Sequence, residues 1–362
     1  MHPYPQECKD PSTPPDMLKT SSVFVFLIII LYNKKRKIKI GVVGLRHEIN
    51  IGNNLVKYAI FIKLSELGFK PYIIGTHLDN LDISFIKKTT NLRIIRRNFS
   101  EIKSSDYDIL MVNSDQTWRR FDDHFYDYGF LNFAKKWEIP KFIYGASIGY
   151  DFWSMTKEDE IIIRELLKNF NGISVREKGS IKLIEDHLKI KPIFVLDPTL
   201  LINKKYYFNL IKNYNSNIKI DEKYIFTYLM VQENNTREFI ENATHKLRCK
   251  VYNVLADEKN SIEKFIYGIV HSKAVITNSF HGTIFSIIFN KPFVSIIFNN
   301  CPKERFISLK NIFKIGNRIF EYNQIPDINL LSTPLNINYN LLKSLRETSL
   351  NYLQKNLFLK NQ

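Results

Sequence analysis

Cysteine is scarce in this chain. Only Cys8, Cys249 and Cys301 occur in 362 residues, far apart, with no CxxC pair and no Cys/His cluster. That excludes a disulfide-stapled scaffold and a zinc module, leaves no metal site to expect, and fits a reducing, cytoplasmic compartment. Neither GxGxxG nor a Walker lysine loop is present, so both common nucleotide fingerprints are missing. No helix-turn-helix and no aromatic-basic stretch marks a nucleic-acid reader, so no nucleic-acid partner is expected. Acidic residues are also in short supply. The 36 Asp+Glu against 52 Lys+Arg leave a formal charge of +16. Such an excess suits an anionic membrane face or acidic small molecules, unless it is lysine spread over the surface without one partner.

Long apolar runs are missing too. The run from Val23 to Tyr32 has ten residues, where a membrane-spanning helix needs roughly 20. Its basic cluster, Lys34 to Lys37, follows it, whereas a signal peptide carries positive charge in front. Residues 1–22 are rich in Pro, Ser and Thr and read as disordered. Residues 1–36 are therefore set apart as an extension, with an interfacial anchor and a spanning signal anchor as the other readings.

What the chain does have is a regular pattern from Lys37 onward. Short β-branched and aromatic runs at 37–44, 71–75, 108–113, 141–146, 172–176 and 193–196 read as strands. Helical periodicity is expected at 55–67, 158–169 and 178–187. The theme returns after a polar stretch at 212–222. Strands are expected at 224–231, 250–255, 274–277 and 292–298, and helices at 236–247, 262–272, 282–289, 305–313 and 339–357. Strands alternating with helices predict parallel sheets. The fold class is thus α/β, with two Rossmann-like, doubly wound domains at 37–203 and 204–362, the second ending in a C-terminal helix. Ligands bind beyond the carboxyl ends of such strands.

Five loops lie at those ends. The first, residues 46–54, is Asn-rich and opens a helix, where amides and Asn53 suit an anion or hydroxyls; ordinary turn chemistry reads the same way. The second, Asn113 to Trp118, sets Ser114, Asp115 and Gln116 in a row, and Trp118 there either stacks on a sugar ring or is a core residue behind a cap. The third, Ala146 to Gly149, contains Ser147 and is small enough for close backbone approach. In the fourth, a strand delivers Arg176 and Glu177 side by side. The arginine fork fits carboxylate or phosphate, and a structural Arg–Glu pair is the alternative. The fifth, Thr277 to Ser286, presents His281 at a helix start beside Ser279, Gly282 and Thr283. A helix N-terminus attracts an anion, and a histidine there can move a proton.

These loops, in order, resemble the polysaccharide pyruvyl transferase family. The matching segments are Asn50–Asn54, the SDQxW run Ser114–Trp118, Ala146–Gly149, the SVRE run Ser174–Glu177, Val195–Leu201, the SFHGT run Ser279–Phe293 and the arginine segment Glu304–Leu309. The departures are Asn113 for a glycine, Asn278 for an aspartate, and Glu48–Gly52 where the family has a His-Asn-Tyr-Gly loop. The resemblance covers about Lys37 to Arg318 and implies a glycosyltransferase-B-like fold. It also implies a transferase of cell-envelope exopolysaccharide biosynthesis that uses no cofactor and no metal. Its donor would be phosphoenolpyruvate, and its acceptor a sugar, free or lipid-linked, met in the cytoplasm or peripherally at the inner membrane face.

On that resemblance His281 and Arg176 are the catalytic pair, the first as acid or as an ion-pair partner of the phosphate, the second gripping the donor's carboxylate or phosphate. The amides of Gly282 and Thr283 would hold the developing anion. Glu177 or Asp115 would take the hydroxyl proton, Asn53, Gln116 and Trp118 would line the sugar side, and Arg305 is a second donor cation. Ser114, Ser147 and Ser279 complete the expected substrate-binding set. Asp197 is expected to fix the linker between domains. A glycosyltransferase using a nucleotide-sugar in the same cleft is the alternative activity, and a basic, non-enzymatic module that binds membrane surfaces or nucleic acid is a third.

Overall fold

The computed structural model describes residues 37–45, 50–75, 94–96, 98–214, 223–255 and 261–358. The expected N-terminal extension, and residues 46–49 of the first loop, lie outside these residues.

Among the described residues, twelve strands form two all-parallel sheets. The first contains β1 (Lys39–Val43), β2 (Lys70–Gly75), β3 (Ile94–Arg96), β4 (Ile109–Val112), β5 (Lys141–Ala146), β6 (Gly172–Val175) and β7 (Ile193–Phe194), in the order β3-β2-β1-β4-β5-β6-β7. The second contains β8 (Tyr224–Leu229), β9 (Lys250–Leu255), β10 (Ala274–Thr277), β11 (Phe293–Ile297) and β12 (Ile319–Glu321), in the order β12-β11-β10-β8-β9. β4, β5, β8, β10 and β11 are buried at every position. Apolar residues without alternation are what a parallel strand needs when helices cover both its faces. The strand order reverses between β1 and β4 in one sheet and between β8 and β10 in the other. Those two switch points, where ligands bind in open α/β sheets, carry the functional loops.

The helices are α1 (Ile51–Glu66), α2 (Phe125–Phe130), α3 (Lys157–Leu167), α4 (Gly179–Leu188), α5 (Lys205–Ile211), α6 (Asn234–Leu247), α7 (Ile262–His271), α8 (Phe280–Ile288), α9 (Glu304–Phe313) and α10 (Tyr339–Leu357). Five begin one to four residues earlier than the sequence suggests, and two of these shape the site. Asn50 caps α1, its Oδ1 accepting from the amides of Gly52 at 2.8 Å and Asn53 at 3.3 Å. The Asn-rich loop is thus partly the first turn of a helix. Ser279 caps α8, which puts His281 inside the first turn. β3, α2, α5 and β12 were not anticipated. The two strands among them have three residues each, too few for a periodic signal.

The terminal helix corrects an expectation. α10 was assigned to the second domain, yet its packing is on the first sheet. Tyr352 donates to the Ile143 carbonyl at 2.7 Å, and the Leu196 amide donates to Ser349 Oγ at 2.9 Å. The Tyr352 ring lies against Phe142 and Tyr144. These strand residues are fully buried, and the stripe Leu342, Leu353, Leu357 of α10 joins the same core as Ile40 and Phe142. The chain returns because the first sheet's apolar face needs a cover. That core also contains Phe226 and Phe265 of the second half.

Candidate functional site

The loops after β1, β4, β8, β10 and β11 enclose a cavity of about 230 Å³ between the sheets. Asn53, Asp115 and Gln116 line it from one side, and Ser279, His281 and Arg305 from the other. Six of the thirteen expected site residues are therefore brought together.

The two sides touch closely. A Cβ on Gly52, in the first turn of α1, would overlap the His281 ring. Glycine here lets the N-terminal turns of α1 and α8 meet, so the histidine from one half rests on the backbone of the other. His281 is 4% exposed, and its Nε2 has no hydrogen-bond partner. That nitrogen lies 3.7 Å from Asp197 Oδ2, beyond hydrogen-bond reach.

Asp115 carries a φ of 114°, a sparsely populated conformation for a residue with a Cβ, costing about 1–3 kcal/mol. Its surroundings hold it there. Oδ2 accepts from Asn53 Nδ2 at 2.8 Å, Oδ1 from Arg176 at 2.8 Å, and its backbone bridges to Ala146. Burial alone would raise this carboxyl. The Arg176, His281 and Arg305 charges and the Asn53 bond outweigh it and bring it down to about 2. Asp115 is therefore a fixed anion and a poor base.

Arg176 does not face the cavity. Its side chain is fully buried and its fork is saturated by three carboxylates, with Asp115 at 2.8 Å, Asp197 at 2.6 Å and Glu177 at 3.2 Å. The expectation that Arg176 grips a donor is corrected on that ground, since every nitrogen is already engaged. Burial would lower the guanidinium, but the three anions hold it firmly charged. Glu177 is 0% exposed, raised by burial against the pull of Arg176, and sealed from the cavity, which removes it as a base for a substrate hydroxyl. Asp197 also accepts from the Thr199 amide and hydroxyl through Oδ1. It thus ties the link between the sheets to the arginine.

Four other expectations are corrected. Trp118 is 0% exposed. Its indole donates to the Gly129 carbonyl at 3.3 Å and stacks on Phe130, so it is a core residue and not a sugar platform. The Gly282 amide donates to Ser279 Oγ and the Thr283 amide to the Ser279 carbonyl. Both are spent on the helix cap, so neither is free for an anion. Ser114 donates to the Gly145 carbonyl and is buried behind the wall. Ser147 is 0% exposed, its backbone joining Asp115 to Trp118.

Arg305, partly buried at the start of α9, does line the cavity. Among the described residues it makes no ion pair, and its Nε is sealed without a partner. Its guanidinium and that of Arg176 both lie over the Phe280 ring, at 5.0 and 4.9 Å. Burial and the charge of Arg176 lower it from the usual arginine range, which leaves it charged at neutral pH. Sequence reading missed Arg119, which lines the same cavity with its guanidinium against the Phe121 and Tyr150 rings, at 4.8 and 4.9 Å. Its only sequence signal is its place one residue after Trp118. Arg119, Arg305 and His281 around one fixed carboxylate make a cavity that suits a small polyanion. Among the described residues no group of three or more His, Cys, Asp or Glu could hold a metal ion.

The family model described as polysaccharide pyruvyl transferase matches residues 50–300. No curated protein matches the sequence. Among solved structures, UDP-GlcNAc 2-epimerase from Neisseria meningitidis bound to UDP-GlcNAc is similar at a TM-score of 0.54 with 12% identity, over 88% of this chain and 99% of that one. The S. aureus MnaA-UDP co-structure gives 0.51 with 14% identity, over 87% and 92%. UDP-GlcNAc 2-epimerase from Methanocaldococcus jannaschii gives 0.50 with 14% identity, over 86% and 93%. At such identities the likeness is one of fold, and the fold is glycosyltransferase-B-like.

Proposed function

The chain belongs to the polysaccharide pyruvyl transferase family, and on that premise we propose that it moves a pyruvyl group from phosphoenolpyruvate to a sugar of a cell-surface polysaccharide or its precursor. The product is a cyclic ketal. The observation that carries this reading is Arg305, a guanidinium that lines the cavity and makes no ion pair among the described residues, its Nε without a partner there. Phosphoenolpyruvate carries a phosphate and a carboxylate, and Arg305 with Arg119 offers two planar forks to them.

The reaction consumes one proton at C3 and releases two from the acceptor hydroxyls. His281 supplies the first. C2 then becomes electrophilic, an acceptor oxygen bonds to it, and phosphate leaves with the C–O electron pair. A second hydroxyl of the same sugar closes the ring. Of the two hydroxyl protons, one restores His281 and the other leaves on phosphate. His281 thus serves as acid and then base, because Asp115 is too acidic and Glu177 too enclosed to do so. Asp115 and Gln116 would orient the acceptor hydroxyls, and Asp197 would steady the imidazolium.

On this reading no cofactor is used, and the protein works in the cytoplasm, at the inner membrane face where the acceptor is lipid-linked. No described helix is long and apolar enough to cross a membrane. Calorimetry with phosphoenolpyruvate, and phosphate release with a panel of nucleotide-linked and lipid-linked sugars, test the proposal. Donor binding with turnover that His281→Ala abolishes is expected. No donor binding and no turnover would defeat it. The competing chemistry is a nucleotide-sugar donor, since two of the fold neighbours carry UDP or UDP-GlcNAc. It predicts that UDP, and not phosphoenolpyruvate, raises the melting temperature.

A further inference from the structure

A second cavity of about 480 Å³ adjoins the first and shares Phe298 with it. Its walls come from the loops after β5, β11 and β12, again at strand carboxyl ends. Two features set it apart. First, it has exposed aromatic side chains. Phe152 is 54% exposed and Tyr322 40%. Phe152 is backed by Tyr150, with ring centroids 4.8 Å apart, and Tyr150 is backed in turn by Arg119. A supported ring that presents its outer face is a rigid platform. Second, its polar groups are those of a hydroxyl reader. Asp151, Glu321, Asn299 and Asn300 line it, and its cation, Lys303, lies 3.7 Å from the Asp151 carboxylate. In a chain of net charge +16, this lining sets two carboxylates against one lysine, a balance that does not attract an anion. Exposed ring faces for C–H surfaces, with amides and carboxylates for hydroxyls, describe a site for a neutral sugar.

We propose that this second cavity is a glycan subsite, so that the acceptor is a neutral oligosaccharide. One sugar reacts in the first cavity while the next rests against Phe152 and Tyr322. The identity of the first cavity rests on the pyruvyl-transfer reading; the glycan contact does not. Arg119 marks the boundary, its guanidinium against the Phe121 and Tyr150 rings and itself part of the first cavity's lining.

The test titrates the full chain by calorimetry with methyl glycosides of galactose, glucose and mannose, from mono- to tetrasaccharide. In at least one series affinity is expected to rise by about tenfold between the mono- and trisaccharide. The double variant Phe152→Ala/Tyr322→Ala should lose that rise and leave monosaccharide affinity unchanged. Both residues are exposed, so the variant keeps the fold, which circular dichroism checks. No length dependence in any series, or a rise that survives the double substitution, overturns the subsite. Phosphoenolpyruvate binding to the same samples is read separately. Donor binding without length dependence removes only the subsite, and length dependence without donor binding removes only the donor.

Discussion

Arg176→Met distinguishes a structural arginine from a ligand-binding one. The substitution removes a guanidinium whose nitrogens engage Asp115, Glu177 and Asp197 at 2.6–3.2 Å, with no exposed side-chain surface. Removing one partner of a buried ion pair costs about 3–5 kcal/mol. Here three carboxylates lose the same partner, against a total stability of about 5–15 kcal/mol. The anions can escape repulsion only by binding protons, so the cost grows with pH. Asp115 gives the sign. Its carboxyl, 3.8 in the unfolded chain and about 2 in the fold, contributes about 2 kcal/mol at neutral pH. That contribution is lost as pH falls through 4 toward 2. Without Arg176 that depression shrinks, and Glu177, already raised by burial, loses the charge that opposes its rise, so the variant is least stable at high pH. Urea denaturation followed by circular dichroism at pH 5.5 and 8.5 reads this. The variant should lose at least about 3 kcal/mol at pH 8.5 and clearly less at pH 5.5. Arg176→Lys should recover only part, because a point charge cannot fork to three partners. A variant with wild-type stability at both pH values and only weakened donor binding would refute the reasoning and return Arg176 to the ligand.

Three further outcomes follow from the same geometry. Glu304 accepts from the Gly179 amide at 3.1 Å, and burial, with Glu177 and Asp151 nearby, raises it from 4.5 to about 7. Its contribution is therefore whole below pH 4.5 and lost as pH rises to 7, so Glu304→Gln should gain about 1–3 kcal/mol at pH 8 and little at pH 4.5; equal effects at both pH values in denaturation curves would contradict this. Trp118→Ala should cost about 3–5 kcal/mol as a core truncation, whereas a sugar platform would instead raise the acceptor KM and leave the melting temperature in place. Gly52→Ala would ordinarily favour a helix by up to about 1 kcal/mol; here the new methyl displaces His281, and turnover should collapse with the fold retained, so a full kcat would show the contact to be irrelevant.

Much of the architecture can be read from local pattern. β5, β9 and β10 fall on the residues that their apolar runs mark; for β5 and β10 the reason is that a parallel strand buried on both faces writes itself as a continuous run. The loops after β1, β4 and β10 can be located for the same reason, and they do converge on one cavity. What could not be read is which way each side chain turns. Arg176 looks like a ligand arginine until residues 115 and 197 are brought to it through a sheet order that the sequence does not spell out. Trp118 looks like a platform until Phe130 and the Gly129 carbonyl are in place. The amides of Gly282 and Thr283 look free until Ser279 is seen to cap the helix, a two-residue shift in where α8 begins. Arg119 carries no local signal, since its role comes from the rings of Phe121 and Tyr150. The return of α10 to the first sheet is likewise a packing decision, taken by whichever apolar face is left uncovered.

The central claim is that Arg305 and His281, and not Arg176, meet the donor. A crystal structure of the protein with phosphoenolpyruvate bound tests it most directly. Phosphate or carboxylate oxygens should lie within about 3 Å of the Arg305 guanidinium, with the donor's C3 against the His281 ring and the three carboxylates still on Arg176. Donor density on Arg176 with those carboxylates displaced, or outside this cavity, would contradict the account.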